Sequence, residues 1–285
     1  FWKNQGIDVQ VINFTTDQKF TDAFENKAID IGIDMIGDWV GMYQTGISVK
    51  IICETDWSNG GDKIIAKQNL DLSKMKGITI GVYLDKPAVT FFLNQYLSSH
   101  NLKYTDVNII ELPPESLANN FIADRVKMIV NYDPQALRAE RKGKGLVVAT
   151  SALYPGCMPE GFAILTDVLK GLPSNDLAKI FKGWTAAVKW IKDPKNWAEY
   201  QDILNAKTFQ GELPYSEDDL KLMLNAVTIH DVPTQLARNK NGGGLQTYLD
   251  KLKGFLASNG MLKKDYRPED IFNNEAIMHV LTSAN

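Results

Sequence analysis

Short apolar runs alternate with helical periodicity from the start of the chain. The runs that predict strands in this first block are residues 8–14, 29–35, 49–55 and 62–67. The helical spacing between them covers residues 20–27 and 39–46. This alternation is typical of βαβ units, in which helices cover a largely parallel sheet. Residues 68–76 are polar and predict a linker.

A second block of the same kind begins at Gly77. Its first strand, at 78–82, is followed by Asp85, Lys86 and Pro87, and aspartate shortly before a proline at the first helical position signals a helix start. The further strands of this block are predicted at 107–112, 126–131 and 146–151, and further helices at 114–124 and 134–142. The helix that begins at Pro87 has an apolar stripe formed by Val89, Phe92, Leu93, Tyr96 and Leu97. The pattern therefore predicts a second α/β sheet.

One more strand-like run, at 162–165, precedes a region that is almost entirely helical. These helices carry apolar stripes that need a sheet to cover, and the first block has few helices of its own. We therefore expect the chain to return to the first block. The predicted organisation is a discontinuous lobe one (1–76 plus 166–285), a lobe two (77–165), and hinge segments near 68–77 and 161–167.

Composition is that of a globular protein with more than one core. The chain has 285 residues, of which 44% are hydrophobic and 23% charged, and its formal net charge is −3. Charges of both signs are interspersed, which argues against a nucleic-acid surface. No apolar run reaches the roughly 20 residues of a membrane span. The abrupt opening at Phe1 is typical of the end of a helix, so we expect a further segment upstream.

Aromatic and acidic residues concentrate where predicted strands end. In open α/β sheets, ligands bind beyond the carboxyl ends of strands. The candidate ligand-binding residues there are Asp38, Trp39, Asp56, Trp57, Ser58, Tyr83, Asp85, Tyr132, Asp133 and Glu160. Aromatic walls can face a cation, and carboxylates accept charge-assisted hydrogen bonds. We therefore hypothesise that the ligand is a nitrogenous ring or amine, with a cationic one included.

Several of these residues also have a purely structural interpretation. Asp38, Asp85 and Asp133 could be helix N-caps. Trp39 and Tyr132 could serve lobe packing. The glycine-rich segment 58–62 favours a tight turn over a phosphate-binding loop. Glu160 could be an exposed turn residue.

The sequence offers little support for catalysis or for a bound metal. His100, His230 and His279 fall within or at the ends of predicted helices and lack partners at metal-ligand spacing. Cys53 and Cys157 lie far apart and form no metal or redox pair, which favours two buried thiols. Signatures of a serine or cysteine nucleophile are also missing. We predict no cofactor, no metal and no enzymatic activity.

Several segments together resemble the solute-binding proteins of ABC importers for nitrate, sulfonates, taurine and thiamine-type pyrimidines. The resemblance lies in FWKNQGIDVQV (1–11), AFENKAIDIG (23–32), DLSKMKGITIGV (71–82) and Tyr132-Asp133-Pro134. It spans nearly the whole chain, and the order and spacing of the segments are more specific than any one of them. In two respects the chain departs from that family. The family's first strand would lie upstream of Phe1, and residues 83–87 replace a hydroxyl-rich cluster that binds an oxyanion, which weakens an expectation of sulfonate or nitrate.

The resemblance implies a two-lobed periplasmic-binding-protein type II fold, with two parallel-rich mixed sheets flanked by helices and a double-crossover hinge. It implies a periplasmic or other extracytoplasmic monomer that delivers a small molecule to an ABC permease. Any membrane anchor would lie in a segment outside this chain. Two alternatives stay open. One is the sensing domain of a membrane signalling protein. The other is an enzyme of the same fold, similar to pyrimidine synthases or to menaquinone-pathway members, although the synthase's cysteine-rich motif is missing here.

Overall fold

The computed structural model describes residues 1–14, 16–211 and 213–283, apart from the Ser174 side chain. In chain order the strands are β1 (Ile31–Met35), β2 (Val49–Ser58), β3 (Asp62–Lys67), β4 (Thr79–Val82), β5 (Asn108–Glu111), β6 (Met128–Tyr132), β7 (Gly145–Thr150), β8 (Pro159–Leu165) and β9 (Val227–Ile229). The helices are α1 (Asp17–Glu25), α2 (Ile36–Gln44), α3 (Pro87–Ser99), α4 (Pro114–Ile122), α5 (Gln135–Gly143), α6 (Thr166–Gly171), α7 (Ser174–Ile191), α8 (Trp197–Ile203), α9 (Glu217–Asn225), α10 (Val232–Asn239), α11 (Gly244–Ser258), α12 (Pro268–Ile271) and α13 (Glu275–Ser283).

The strands form two separate sheets, as the sequence predicts. One sheet has the order β1-β8-β2-β9, and the other has the order β5-β4-β6-β3-β7. In the first sheet β8 runs antiparallel between β1 and β2. In the second, β4 pairs in parallel with β5 and β6, while β3 pairs antiparallel with β6 and β7. Helices pack on both sheets, so the mixed α/β class is confirmed.

The chain crosses between the sheets twice, at positions that differ from the predicted hinges. It leaves the four-stranded sheet after β2 and enters the five-stranded sheet at β3, and it returns between β7 and β8. The crossings are therefore at 59–61 and 151–158. The prediction that 62–67 belongs to the first block is wrong, because β3 finds its partners β6 and β7 far along the chain and local polarity cannot reveal them. A buried hydrogen bond of 2.8 Å between the hydroxyls of Ser58 and Ser151 joins the two crossings.

The C-terminal helices return to the four-stranded sheet, as expected. Phe181 of α7 and Ile277 of α13 pack with Ile52 and Phe162 of that sheet in one buried apolar cluster. Helix α11 behaves differently, since its Tyr248 and Phe255 rings meet Phe91 of α3 at 5.7 Å, on the side of the five-stranded sheet. The end of the chain therefore contacts both halves of the molecule.

Residues 8–14, predicted as a strand, do not form one. This segment contributes no ladder to either sheet in the described structure, and Val11 is 67% exposed. The apolar alternation is present, but a strand also needs a hydrogen-bonded partner, and β1 pairs only with β8. No described helix is both long enough and apolar enough to cross a membrane.

Candidate functional site

A row of polar residues lies at the end of the four-stranded sheet that faces the other sheet. Glu160 of β8 lies opposite Met35 of β1 on one side and Asp56 of β2 on the other. On the five-stranded sheet, Asp62 of β3 lies opposite Tyr132 of β6. The strand register thus presents carboxylates from both sheets to the space between them.

Tyr83 contacts residues of both sheets. It follows β4, and its hydroxyl donates a 2.7 Å hydrogen bond to Oδ1 of Asp62 while lying 3.9 Å from the Met35 sulfur. Its ring meets the ring of Tyr132 edge to face at 4.8 Å. Because Tyr132 remains 40% exposed, the two tyrosines form an aromatic wall that is open on one side.

An open cavity of about 1620 Å³ reaches this wall. Asp34 and Met35 line it from β1, and Tyr83, Glu111 and Tyr132 line it from the other sheet. It continues along β1 as far as residues 8–14. The cavity is large enough for a small organic molecule.

The carboxyl groups around the cavity have raised pKa values. Burial raises the pKa of Glu160 well above its usual range, and the charges of Asp56, Asp62, Asp34 and Asp38 raise it further. Burial likewise raises the pKa of Asp56, although the hydrogen bond from Thr55 opposes the shift. For Asp62, burial outweighs the hydrogen bonds from Ser58 and Tyr83. Burial with few nearby cations therefore disfavours the charged form of these carboxyl groups, and a cation that entered would favour it again.

Asp34 and Asp38 continue this acidic group toward the first helix. Burial raises the pKa of Asp34 to about 6, against the lowering effect of the Met35 backbone N–H. Burial also raises the pKa of Asp38 well above its usual range, and the charge of Asp34 adds to the effect. Asp38 is only 1% exposed, and neither of its carboxylate oxygens has a hydrogen-bond partner.

Asp38 lies where two helices begin. It is in the first turn of α2, and the backbone N–H of Ala88, near the start of α3, is close enough to lower its pKa by less than burial raises it, although it does not meet hydrogen-bond geometry. Gly37 permits this close meeting, because a Cβ there would lie 2.6 Å from the Ala88 nitrogen. Helix N-termini attract anions. Here the carboxyl group of Asp38 already takes this position, so an external anion would have to compete with it.

One lysine approaches the acidic group. The ammonium of Lys86, which precedes α3, lies 2.6 Å from Oδ2 of Asp17 at the start of α1. Oxygens of Asp17, Asp34 and Asp38 all lie within 4.8 Å of one another. The site can therefore hold a positive group in contact with several carboxylates and beside two aromatic rings.

The structure brings some of the predicted residues together and separates others. Tyr83 and Tyr132 line the cavity, whereas Asp38, Asp56 and Glu160 belong to a buried acidic group beside it and are not part of its lining. Ser58 lies beside them, where its hydroxyl accepts from the Asp62 N–H at 3.2 Å. The turn interpretation of Glu160 is wrong, because this residue lies within β8.

Trp39 and Trp57 point elsewhere. Trp39 is fully buried against Phe20 and Phe24, and its indole N–H donates to the Gly161 carbonyl at 3.1 Å. Trp57 packs edge to face on His230 at 4.7 Å, with the Arg238 guanidinium 5.2 Å from its ring. His230 is not at a helix end as predicted, since it lies between β9 and α10 and contacts Glu54.

Asp85 and Asp133 have partners of their own. Asp85 is exposed and accepts a 3.0 Å hydrogen bond from the hydroxyl of Tyr104. Asp133 pairs with Lys63 and accepts from the Leu137 N–H at 3.2 Å, near the start of α5. Neither carboxylate faces the aromatic wall unpaired.

Sequence reasoning missed Asp17, Asp34, Asp62 and Lys86. Asp34 carried a usable signal, since it interrupts an apolar strand three residues before Gly37. Asp62 carried none, because its position at the cavity depends on the long-range pairing of β3. The two cysteines are buried and free, as predicted.

Three solved structures share this fold at low sequence identity. The periplasmic sulfonate-binding protein SsuA of Methylobacillus flagellatus KT is 15% identical at a TM-score of 0.71, with 99% of this chain and 84% of that chain covered. The alkanesulfonate-binding protein SsuA of Xanthomonas axonopodis pv. citri, bound to MOPS, is 13% identical at a TM-score of 0.71, with 92% and 86% covered. The periplasmic nitrate-binding protein NrtA of Synechocystis PCC 6803 is 12% identical at a TM-score of 0.65, with 93% and 78% covered.

These likenesses establish the fold of the periplasmic binding proteins, with two sheets flanked by helices and a cavity between them. No curated protein sequence matches the chain significantly. The NMT1-like family matches residues 1–205, which is well over half of the chain. The chain belongs to the NMT1-like family.

Proposed function

We propose that this protein binds a small nitrogenous solute, an amine or a charged ring, in the cavity between its sheets. The observation that supports this proposal is the set of poorly compensated carboxylates beside the Tyr83–Tyr132 wall. A protonated nitrogen would receive charge-assisted hydrogen bonds from the carboxylates and a cation–π contact from a ring. A desolvated carboxylate gains most from a partner of opposite charge.

The fold supports a role in import. The three proteins of similar fold are named as sulfonate- or nitrate-binding proteins, and the one from Methylobacillus flagellatus KT is named as part of an ABC transporter. We infer that this chain likewise works outside the cytoplasm, delivers its solute to an ABC permease and does not transform it. Its ligand differs in charge, because Asp38 already places a carboxylate at the two helix N-termini that would otherwise attract an anion.

Closure of the two halves would couple binding to delivery. Asp34 and Glu160 belong to one sheet, while Tyr83 and Tyr132 belong to the other side of the cavity. A ligand that touches both groups favours the closed arrangement, since only there are all its contacts made. Rotation would occur at the crossings 59–61 and 151–158, where few chain segments connect the halves.

A thermal-shift screen tests the ligand class. Benzylamine, choline and aminopyrimidines form one panel, and taurine, ethanesulfonate and nitrate form the other. We expect a saturable rise in Tm with a member of the first panel, since a ligand at 100 times its Kd adds about 2.7 kcal/mol to the free energy of unfolding. The variant Glu160→Gln, which removes a charge at nearly constant shape, should weaken that response. Stabilisation by the anions alone would contradict the proposal.

A further inference from the structure

Lys86 reaches across the space between the two halves of the molecule. It immediately precedes α3, which follows β4 of the five-stranded sheet, whereas its partner Asp17 begins α1, which precedes β1 of the other sheet. The lysine side chain is 31% exposed and the aspartate 40% exposed. This partly exposed ion pair therefore bridges the two halves of the molecule, and its Asp17 lines the cavity.

Three carboxylates from three elements converge behind this contact. Asp17 of α1, Asp34 of β1 and Asp38 of α2 place oxygens within 4.8 Å of one another. That separation suits three acceptors around one ammonium nitrogen, for which N–H···O⁻ distances are about 2.7–2.9 Å. Asp38 strengthens the case independently, because it is almost completely buried and both of its oxygens lack a partner.

The ammonium of Lys86 already responds to all three carboxylates. Burial alone would lower the pKa of this lysine, but the hydrogen bond to Asp17 and the charges of Asp38, Asp17 and Asp34 raise it. A primary ammonium is thus the positive group that the protein itself brings to this place. A divalent metal ion would have to share the place with that ammonium, which like-charge repulsion opposes.

We propose that Asp17, Asp34 and Asp38 form an ammonium-binding subsite, which Lys86 closes through its contact with Asp17 until the cationic group of a solute displaces it. The subsite depends on the proposed function only for the identity of the displacing solute. Lys86 is then a specificity-determining residue, since a solute must compete with it. The apparent affinity for the solute is proportional to the fraction of molecules in which the lysine has left the subsite.

Chemical rescue of a lysine deletion tests the subsite without knowledge of the natural solute. The variant Lys86→Ala removes the tethered ammonium, and n-butylammonium chloride replaces it with a free group that has the same four-carbon chain. We expect n-butylammonium to raise the Tm of this variant saturably. It should also bind the variant about tenfold more tightly than it binds the unmodified protein. 1-Butanol and sodium chloride at matched concentrations should have no such effect.

Two further variants make the result specific. Lys27→Ala deletes a lysine that pairs with Asp167 at an exposed site, where both side chains are more than half exposed, and n-butylammonium should not rescue it. Adding Asp38→Asn or Asp34→Asn to Lys86→Ala should abolish the rescue, because each removes one acceptor charge. The subsite is refuted if n-butylammonium has no saturable effect on Lys86→Ala, or if magnesium or zinc chloride rescues it instead.

The two proposals can fail separately. Rescue of Lys86→Ala, together with no binding of any panel solute to the unmodified protein, would overturn the proposed function and leave the subsite standing. Binding of an amine that is unchanged by Asp38→Asn and Lys86→Ala, without rescue, would overturn the subsite and leave the function standing.

Discussion

Two groups of buried acidic residues lie on the four-stranded sheet and on helix α2, and they differ in the hydrogen bonds that their carboxyl groups make. Glu54 of β2 is completely buried and accepts from Arg238 through two nitrogens, at 2.7 and 2.9 Å, and from His230 at 2.9 Å. The side chain of Asn239 also bonds the backbone N–H and carbonyl of Glu54. Asp38 is equally buried but has no hydrogen-bond partner for either oxygen.

The contrast separates a carboxylate with a structural role, Glu54, from a carboxyl group that is available to a ligand, Asp38. The interior of a protein tolerates a carboxylate when its lone pairs are used, as they are around Glu54. Around Asp38 they are not used, and its neighbours Asp34 and Glu160 share its raised pKa. Sites that bind charged ligands often show this combination of burial and missing partners.

The largest expected change in the free energy of unfolding is at Glu54, whose carboxylate has a full set of partners. Glu54→Ala should lower the free energy of unfolding by about 3–5 kcal/mol, because it leaves Arg238 and His230 without their shared partner. Urea denaturation at neutral pH measures the change. Asp38→Asn is the matched control and should change it by less than about 1 kcal/mol, since it removes no hydrogen bond. Equal losses in the two variants would break the contrast.

The second effect concerns pH. Because the pKa of Asp34 is about 6 in the folded protein, against 3.8 for an unperturbed aspartate, the folded state binds more protons between these values. The ligand-free protein should therefore lose stability as pH rises through this window, by about 3 kcal/mol in all. Denaturation midpoints from pH 4 to 7 measure the slope. Asp34→Asn should flatten it, and an unchanged slope would show that this carboxyl is not desolvated.

The smallest expected change in the free energy of unfolding distinguishes Trp57, which lies beside the Glu54 group, from Tyr132, which lines the cavity. Trp57→Leu should lower the free energy of unfolding by about 1–2 kcal/mol through lost contacts with His230 and Arg238. Tyr132→Leu should change it by less, because the ring is 40% exposed, while weakening the thermal response to amines severalfold. Denaturation and thermal shift on both variants give the comparison. A loss of amine response in Trp57→Leu alone would reverse the assignment.

Local pattern determined much of the fold before any contact was known. The stripe on α3 was predicted from spacing, and Val89, Phe92 and Leu93 are all completely buried. Serine three positions before an aspartate is typical of a helix N-cap, and the Ser216 hydroxyl accepts from the Asp219 N–H at 3.2 Å at the start of α9. These features depend on residues a few positions apart, so the sequence carries them directly.

Long-range pairing decided the rest. The sequence by itself indicated two α/β sheets, a cavity between them and an acidic, aromatic lining that includes Tyr83, Tyr132 and Glu160. Only the tertiary structure placed β3 in the second sheet, buried Trp39 in the core, gave Glu54 its partners and left Asp38 without any. The physical reason is that a carboxylate's character depends on which distant groups reach its oxygens, and strand register and helix packing, not local sequence, bring those groups together.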